Sequence, residues 1–242
     1  VDEVFLWEAY HRIRKDGAAG VDKVTGNSYA ENLSENIRKL YERMKSGRYK
    51  VPHVKRVYIP KDDKSERPIG IACFEDKIVQ KAVAMILGAI YEVDFYEDSH
   101  SFRPKRNQHV ALQSLRKQCI EIEVTKIIDA DIEGFFDKLN HQHMREILKK
   151  RVNDGSLLRL INLWMKAGIM DGKILSYPES GSPQGGTISP MLSNIYLHEV
   201  LDSWYVDVVK PMMRGKSFLV RFADDFLIGF EIMFPTHAPA FC

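Results

Sequence analysis

The sequence predicts an α+β fold, because segments with helical and with strand periodicity occur in mixed order along its 242 residues. Apolar residues recur at helical spacing in segments at about residues 30–45, 75–92, 108–118, 141–151 and 157–167. Runs rich in β-branched and aromatic residues predict strands at about 54–60, 126–132 and 218–231. No internal repeat or low-complexity stretch interrupts this order.

Composition and charge narrow the class of protein. With 45% hydrophobic and 28% charged residues, the chain can build one sizeable core or two lobes. No apolar run approaches the roughly eighteen residues of a membrane span, and no signal peptide opens the chain. The cysteines Cys73, Cys119 and Cys242 form no disulfide framework. We therefore expect an intracellular, cytoplasmic protein, most simply a bacterial one, without a membrane partner.

Local charge is more informative than the net charge of +2. Basic residues gather at 55–67 and 103–106, in loops or strands, and such patches line surfaces that follow a nucleic-acid backbone. We expect nucleic-acid contacts from Arg56, Arg103, Lys105 and Arg106. A third basic cluster at 149–151 ends a predicted helix, where the helix dipole alone favours cations.

The second predicted strand is acidic. Period-two geometry places Asp129 and Asp131 on one face of this strand. The opposite face carries Ile128, Ala130 and Ile132, so we expect that face to be buried. Two carboxylates on one face repel each other and raise each other's pKa unless a cation neutralises them. The strand therefore indicates a bound metal, and the alternative is a solvated strand edge.

A loop of small residues at 180–190 opens directly into a helix. Ser189 is a good N-cap and Pro190 suits the first helical position. From Met191 to Trp204 apolar residues recur at helical spacing, so this helix packs against the rest of the protein. The clean helix start, together with the loop's prolines and glutamine, favours a functional loop over a flexible linker.

The same loop contains residues suited to a nucleotide or a template strand. Gly185 and Gly186 have no side chains, which lets their backbone approach such a ligand closely. Gln184 adds an amide that both donates and accepts hydrogen bonds. We therefore expect the loop to contact substrate.

The last strand-like segment, 221–230, carries two adjacent carboxylates, Asp224 and Asp225, between two apolar runs. Such a pattern predicts a β-hairpin with both carboxylates at its exposed bend, although an isolated Asp pair is usually only a turn. Combined with the acidic strand, Asp131 and Asp224 suit a two-metal site for in-line displacement at phosphorus. Carboxylate oxygens favour Mg²⁺, so we expect two Mg²⁺ ions in this site.

Several blocks resemble the reverse transcriptases encoded by group II introns. The blocks at the acidic strand, the loop and the hairpin are Asp129–Asp137, Ser182–Pro190 and Phe222–Asp225. Further upstream, Arg56–Lys61, Arg67–Ile71 and Ser101–Arg106 are similar to the finger-region blocks of that family. The blocks follow the family's order from near the start of the chain to about Glu231. Because several blocks in register are highly specific, the resemblance implies an RNA-directed DNA polymerase.

The resemblance implies roles for the matching residues. The catalytic carboxylates are Asp131, Asp224 and Asp225, and the metal ligands are those residues and the backbone carbonyl of Ile132. Lys61 and Arg67 match residues that grip the incoming triphosphate. Gln184, with Gly185 beside it, matches the residue that positions nucleotide and template. Phe136 matches the bulky residue that blocks a ribose 2′-OH, while core packing is the alternative role for Phe136.

The resemblance also implies a right-hand polymerase fold with interleaved lobes. The fingers fall at about 1–80 and 138–175, and the palm with the catalytic carboxylates at about 81–137 and 176–231. Two positions depart from the family pattern: Phe222 replaces a usual Tyr and Ser101 a usual Gly, and we expect both to be tolerated. Residues 232–242 match nothing in the family, so we expect fingers and palm without a thumb, followed by a tail of foreign or truncated origin.

The implied partners are an intron RNA template, a DNA primer and dNTPs. One alternative is an RNA-binding splicing cofactor with impaired catalysis, and another is a free-standing relative in a defence or CRISPR-associated system. An RNA-dependent RNA polymerase is disfavoured by the bulky Phe136. The apolar stretch around Trp204 and Val208 predicts self-association, most simply as a homodimer.

Overall fold

A computed structural model describes residues 1–62, 65–177, 181 and 185–231 of the chain, and for residues 61, 62, 65 and 137 it describes the backbone alone. The chain divides into two compact units. The first unit contains residues 1–91 and 134–192, and the second contains residues 92–133 and the described residues from 193 onward. These divisions differ from the predicted lobe boundaries, and the assignment of the units to fingers and palm stays a prediction.

The described part of the chain is a mixture of helices and strands, as predicted. The α-helices are α1 (Glu3–His11), α2 (Gly26–Ala30), α3 (Leu33–Lys45), α4 (Phe74–Tyr91), α5 (Gln108–Glu121), α6 (Phe135–Lys138), α7 (His141–Lys149), α8 (Gly155–Met165), α9 (Ser189–Leu197) and α10 (Lys210–Met212). The strands are β1 (Val54–Asp62), β2 (Ser65–Ile71), β3 (Lys126–Asp131), β4 (Ile169–Asp171), β5 (Ile174–Ser176), β6 (Ser217–Phe222) and β7 (Asp225–Phe230).

The five helices predicted from periodicity are confirmed as α3, α4, α5, α7 and α8. Polar residues start three of them: the side chains of Asn107, Asn140 and Asp154 accept hydrogen bonds from backbone amides in the first turn. Strands β2, β4 and β5 were not predicted from the sequence. β4 and β5 have three residues each, too few to show a period, and β2 contains a Pro and a Gly that weaken a strand pattern.

The first unit holds a four-stranded sheet in the order β2-β1-β4-β5. β1 pairs with β2 antiparallel and with β4 parallel, and β4 and β5 form a short antiparallel hairpin. Helices α1 and α3 pack together and α1 packs on α4, while α7 packs on α8. The core of this unit is aliphatic and fully buried at Ile37, Leu40, Ile78, Met144 and Ile161.

The second unit holds a three-stranded antiparallel sheet in the order β3-β7-β6, with α5 packed against β6. After α9 the chain continues through two π-helical stretches, His198–Asp202 and Tyr205–Val209, before α10. The π-helical turns are wider than α-helical ones, and such turns are frequent at functional positions. None of the helices in the described residues is both long and apolar enough to cross a membrane.

Candidate active site

The predicted carboxylate hairpin is present in the second unit. β6 and β7 pair antiparallel from Ser217↔Phe230 to Phe222↔Asp225, which leaves Ala223 and Asp224 as a two-residue turn. Ala223 has a φ of +59°, whereas Asp224 has no positive φ. Positive φ at the first central residue alone is the pattern of a type II′ turn, which favours Gly there. The turn that displays the carboxylates is therefore strained at Ala223.

β3 brings further carboxylates to this hairpin. β3 pairs antiparallel with β7, and Asp131 lies directly opposite Asp225. Asp129 lies opposite Leu227, two residues along the same face. Asp131 is among the groups that raise the pKa of Asp225. Strand pairing thus joins the acidic strand and the acidic turn, as expected, but Asp131 faces Asp225 and not Asp224.

The carboxylates influence one another electrostatically. Partial burial raises the pKa of Asp225, and the neighbouring negative charges of Asp131, Asp224 and Asp129 raise it further. Asp129, Asp131 and Asp225 are exposed and Asp224 is half-buried, and burial and these three neighbouring carboxylates are the largest causes of the raised pKa of Asp225. The site therefore carries excess negative charge that a cation would relieve.

The donor set decides which metal fits. No group of three His, Cys, Asp or Glu side chains in the described residues is placed to hold a metal ion by itself. Mg²⁺ commonly binds through one or two carboxylates and takes its other ligands from water and substrate phosphates. The facing pair Asp131 and Asp225 matches that requirement. Ile132, the predicted carbonyl ligand, is half-buried and directly follows β3.

One expectation about β3 is wrong. We expected Ile128 and its neighbours on that face to be buried, but Ile128 is 49% exposed and Ile127 on the other face is 51% exposed. Edge position alone does not explain this exposure, because β6 at the other edge of the sheet is buried along five of its six residues, where α5 packs against it. The packing of α5 thus covers β6, while β3 stays exposed along most of its length.

A buried arginine just before the turn escaped the sequence analysis. Arg221 in β6 is fully buried, and its guanidinium forms a bidentate ion pair with Asp202 at 2.7 and 2.8 Å. It also donates to Asn194 Oδ1, to Ser99 Oγ and to the Ala223 carbonyl. An Arg within the apolar run Phe218–Phe222 was the available signal, because a charge at a buried strand position needs a partner.

In the basic segment at 103–106, Arg103 has structural contacts, and the nucleic-acid role of the segment as a whole stays a prediction. Arg103 is buried, pairs with Glu92 at 3.0 Å and donates to the carbonyls of Tyr96 and Ser99. Its guanidinium also lies over the Phe95 ring. These contacts occupy the Arg103 guanidinium and leave it unavailable to phosphate.

The other residues of that cluster differ from Arg103. Arg106 pairs with Glu97, donating to both its side chain and its backbone carbonyl. Lys105 is exposed. Of the predicted nucleic-acid contacts in this segment, Lys105 is therefore the one whose side chain faces solvent without a buried role.

Residues expected to contact nucleotide lie in the first unit. Arg67 is exposed on β2 opposite Ile59, and Arg56 is half-buried on β1 opposite Gly70. Lys61 belongs to β1, but its side chain is outside the described structure. Gln184 lies outside the described residues altogether.

Gly185 is held tightly against β2. It has a φ of +101°, and a Cβ at this position would lie 2.7 Å from Ile69 Cγ2 and 3.0 Å from the Gly70 carbonyl oxygen. Both observations exclude a side chain, so the glycine is required by the fold of its own unit. We expected the Gly185 backbone to lie close to a ligand, and in the structure it lies close to β2.

The two phenylalanines of the acidic block differ in burial. Phe135 is buried and Phe136 is half-buried, and their rings meet edge to face with centroids 5.4 Å apart. Gly134, with φ of +63°, starts the short helix α6 that carries both. Phe135 is thus the core residue of the pair, and Phe136 keeps an accessible face.

A second buried polar network, also missed from the sequence, supports the loop that follows Gly185. Asp76 on α4 is buried and accepts hydrogen bonds from Tyr49, from Trp164 Nε1 at 2.9 Å and from Gln80 Nε2 at 2.8 Å. The Gln80 Oε1 atom in turn accepts from the backbone amide of Ile188. Burial raises the pKa of Asp76, while these donors oppose the rise.

Comparisons with known proteins agree with this geometry. The chain is 33% identical to the Escherichia coli protein YkfC over 86% of its length, and 35% identical to the group II intron-encoded protein LtrA of Lactococcus lactis over 83%. It spans 62% of YkfC and 35% of LtrA. A chain of a partial Cas6-RT-Cas1–Cas2 complex shares the fold, with a TM-score of 0.54 and 20% identity over 94% of this chain and 36% of that one.

The family assignment rests on the match to a family model that covers more than half of the chain. The family model described as reverse transcriptase (RNA-dependent DNA polymerase) matches residues 59–234, which include β3, the Gly185 loop and the carboxylate hairpin. The right-hand polymerase fold expected from the sequence is therefore confirmed at the level of the family. The chain belongs to the reverse transcriptase (RNA-dependent DNA polymerase) family.

Proposed function

We propose that the chain is the RNA-directed DNA polymerase domain of a group II intron-type mobile element, acting by two-metal nucleotidyl transfer. One observation carries the proposal: strand pairing sets Asp131 opposite Asp225 beside the Asp224 turn, which concentrates negative charge at one place. The similarity to LtrA supports the link to introns, since that relative is named as an intron-encoded protein.

In this proposal Asp131, Asp224 and Asp225 hold two Mg²⁺ ions, with the Ile132 carbonyl as a further ligand. Bound Mg²⁺ supplies activation of the attacking hydroxyl and stabilisation of the leaving oxygen. The part of the chain's own residues is to fix the carboxylates on paired strands, so that little reorganisation is needed at the moment of reaction. Substrate phosphates then complete the ligand sets.

Primer extension on an RNA template tests the assignment. We expect the full protein that contains this chain to extend a DNA primer with dNTPs and Mg²⁺, and Asp225→Asn to lower the rate by on the order of 10²–10³-fold or more. Asp207→Asn is the matched control, because Asp207 is an exposed carboxylate of the same unit that lies outside the hairpin. An Asp225→Asn protein with the wild-type rate would remove the proposal.

We further propose nucleotide contacts by Lys61, Arg67, Gln184 and Gly185, and a steric gate at Phe136. Arg67 is exposed and carries a charge suited to phosphate. Arg67→Gln should raise the KM for dNTP, with exposed Arg38→Gln of the same unit as control.

Phe136→Val should increase incorporation of ribonucleotides relative to dNTPs, because the ring and a 2′-OH compete for one volume. Unchanged discrimination would assign Phe136 to packing alone.

For the nucleic-acid surface we propose Arg56 and Lys105 as contacts to the backbone of intron RNA, and Arg106 as a weaker one because of its pairing with Glu97. The logarithm of the binding constant should fall linearly with the logarithm of salt concentration, and Lys105→Gln should reduce the magnitude of that slope by about 1, the share of one phosphate contact.

A splicing cofactor is the second candidate function, because relatives are named as an intron-encoded protein and as an intron maturase. Splicing of the intron RNA by a catalytically inactive Asp225→Asn protein would favour this alternative.

Self-association is the last element of the proposal. Val200, Trp204, Val208 and Met212 recur every four residues along the helical run and are 47–77% exposed. Such an apolar stripe favours association, and a second copy of the chain is the simplest partner. Light scattering over a concentration series should show dimer formation that Trp204→Lys reduces; a monomeric mass throughout would contradict this.

A further inference from the structure

Arg221 is the residue whose contacts best account for the shape of the carboxylate turn. A guanidinium has five N–H donors in a fixed plane. Here Nε donates to Asp202 Oδ1, Nη2 to Asp202 Oδ2 and Ser99 Oγ, and Nη1 to Asn194 Oδ1 and the Ala223 carbonyl oxygen. All five donors are therefore used, and one of them ends on the backbone of the turn itself.

The hydrogen bond from Arg221 to the Ala223 carbonyl is made at the strained residue of the hairpin. Ala223 has a left-handed φ that an L-residue with a Cβ adopts only at a cost. The carbonyl of Ala223 belongs to the peptide that joins it to Asp224, so a hydrogen bond to this oxygen fixes the orientation of that peptide. Arg221 thus holds the link between the strained residue and the first carboxylate.

The other ends of the guanidinium are anchored firmly. Asp202 and Asn194 are themselves buried, and the Asn194 Nδ2 group donates to the Ser101 carbonyl at 2.6 Å. Ser99 also pairs with Arg221 through the backbone: the Arg221 amide donates to the Asp98 carbonyl, and the His100 amide donates to the Arg221 carbonyl. The arginine is therefore fixed both by the segment 98–101 and by Asn194 of α9 and Asp202 of the first π-helical stretch.

We propose that Arg221 is a positioning residue for the carboxylate turn: anchored by Asp202, Asn194 and Ser99, it fixes the Ala223–Asp224 peptide and so places Asp224 and Asp225 for catalysis. The catalytic part of this inference rests on the proposed function. Arg221 touches neither substrate nor metal and acts only through the turn. Its effect should therefore appear in kcat more than in KM for dNTP.

The test compares Arg221→Lys with Phe218→Leu. Lysine keeps the charge but has no planar fork, so it cannot serve Asp202 and the Ala223 carbonyl together. Phe218 is a buried residue of the same strand that pairs with Gly229, at the end of the hairpin away from the turn, so it reports general loosening of the sheet. We expect Arg221→Lys to lower kcat at least tenfold per folded molecule with KM for dNTP within about twofold, and Phe218→Leu to change neither by more than about twofold.

Hydrogen exchange supplies a readout that does not depend on activity. In Arg221→Lys the amides of residues 222–225 should exchange at least tenfold faster than in wild type, whereas Phe218→Leu should affect β6 and β7 throughout. Adding Ala223→Gly to Arg221→Lys should restore part of kcat, because Gly adopts the positive φ without support.

Two results separate the hypotheses. A wild-type protein that extends no primer on RNA would defeat the proposed function, while turn-specific exchange in Arg221→Lys would still support positioning. Wild-type exchange at 222–225 in Arg221→Lys, or an equal fall of kcat in Phe218→Leu, would overturn the role of Arg221 whatever the activity of the wild type.

Discussion

Among its described residues each unit contains a buried polar network that supports a loop predicted from the sequence to be functional, and the two networks use opposite charges. In the second unit Arg221 is a buried cation whose charge is matched by Asp202. In the first unit Asp76 is a buried acid whose partners Tyr49, Gln80 and Trp164 are all neutral donors. A guanidinium cannot lose its charge in a protein, whereas a carboxyl group can take up a proton. The Arg221 network should therefore depend on its ion pair, and the Asp76 network on pH.

The largest expected effect is the loss of the buried cation. Arg221→Met should lower the free energy of unfolding by about 3–5 kcal/mol, because it leaves the Asp202 carboxylate buried without its partner. Urea denaturation followed by circular dichroism measures this change, with exposed Arg214→Met as control. A loss below about 1 kcal/mol would mean that this ion pair contributes no more than an exposed one does. The Arg221 network would then not depend on its ion pair, which would contradict the comparison of the two units.

A glycine replacement tests the loop that the Asp76 network supports. Gly185→Ala should lower the free energy of unfolding by about 1–3 kcal/mol, because the φ of +101° and the contact with Ile69 both oppose a Cβ. Gly155→Ala is the matched control: no atom lies within 4 Å of a Cβ placed there, and Ala is the better helix former. Equal stability of the Gly185→Ala and Gly155→Ala proteins would contradict the packing of the loop against β2.

Asp76→Asn tests the pH dependence of the Asp76 network. The Asp76 Oδ1 atom accepts from Tyr49 and Trp164, so the new amide nitrogen faces Gln80. Gln80 can flip to accept from this nitrogen, but it then presents a donor to the Ile188 amide. One unsatisfied group should cost about 1–2 kcal/mol at low pH.

The sign of the pH effect follows from the raised pKa of Asp76 in the folded protein. The folded state holds the Asp76 proton more tightly than the unfolded state does. This proton therefore contributes its whole stabilisation of the folded state below pH about 4, and the stabilisation is lost as pH rises through the folded pKa. Denaturation of the wild type between pH 4 and 8 should show this decline, and Asp76→Asn should lack it. Parallel curves for the two proteins would mean that Asp76 titrates normally.

The smallest expected effect concerns the strained turn of the second unit. Ala223→Gly should raise the free energy of unfolding by up to about 1 kcal/mol, since Gly adopts a φ of +59° without steric cost. Thermal unfolding of the single variant, and of the same change in Arg221→Lys, measures it. A gain that is no larger in the Arg221→Lys background would indicate that the arginine does not support this turn.

The strongest local patterns were correct because they depend on neighbouring residues alone. The helix of residues 74–91, the acidic strand and the hairpin at Asp224 all formed where periodicity and turn chemistry predicted them. Arg103 shows where that approach failed. In sequence it belongs to a basic cluster, but Glu92 and two backbone carbonyls bury and occupy it, and no local pattern specifies those partners.

The sequence by itself determined the class of fold, the positions of the candidate carboxylates and the family of the chain, because alternation, turns and motif spacing are encoded over short stretches. Only the tertiary structure decided that Asp131 faces Asp225, that Ile128 lies on an open edge, and that Arg221 and Asp76 are buried supports. Strand register and burial depend on which distant segments pair and cover one another. A charged side chain becomes a solvated contact or a core anchor according to those partners, and its own position in the sequence does not fix them.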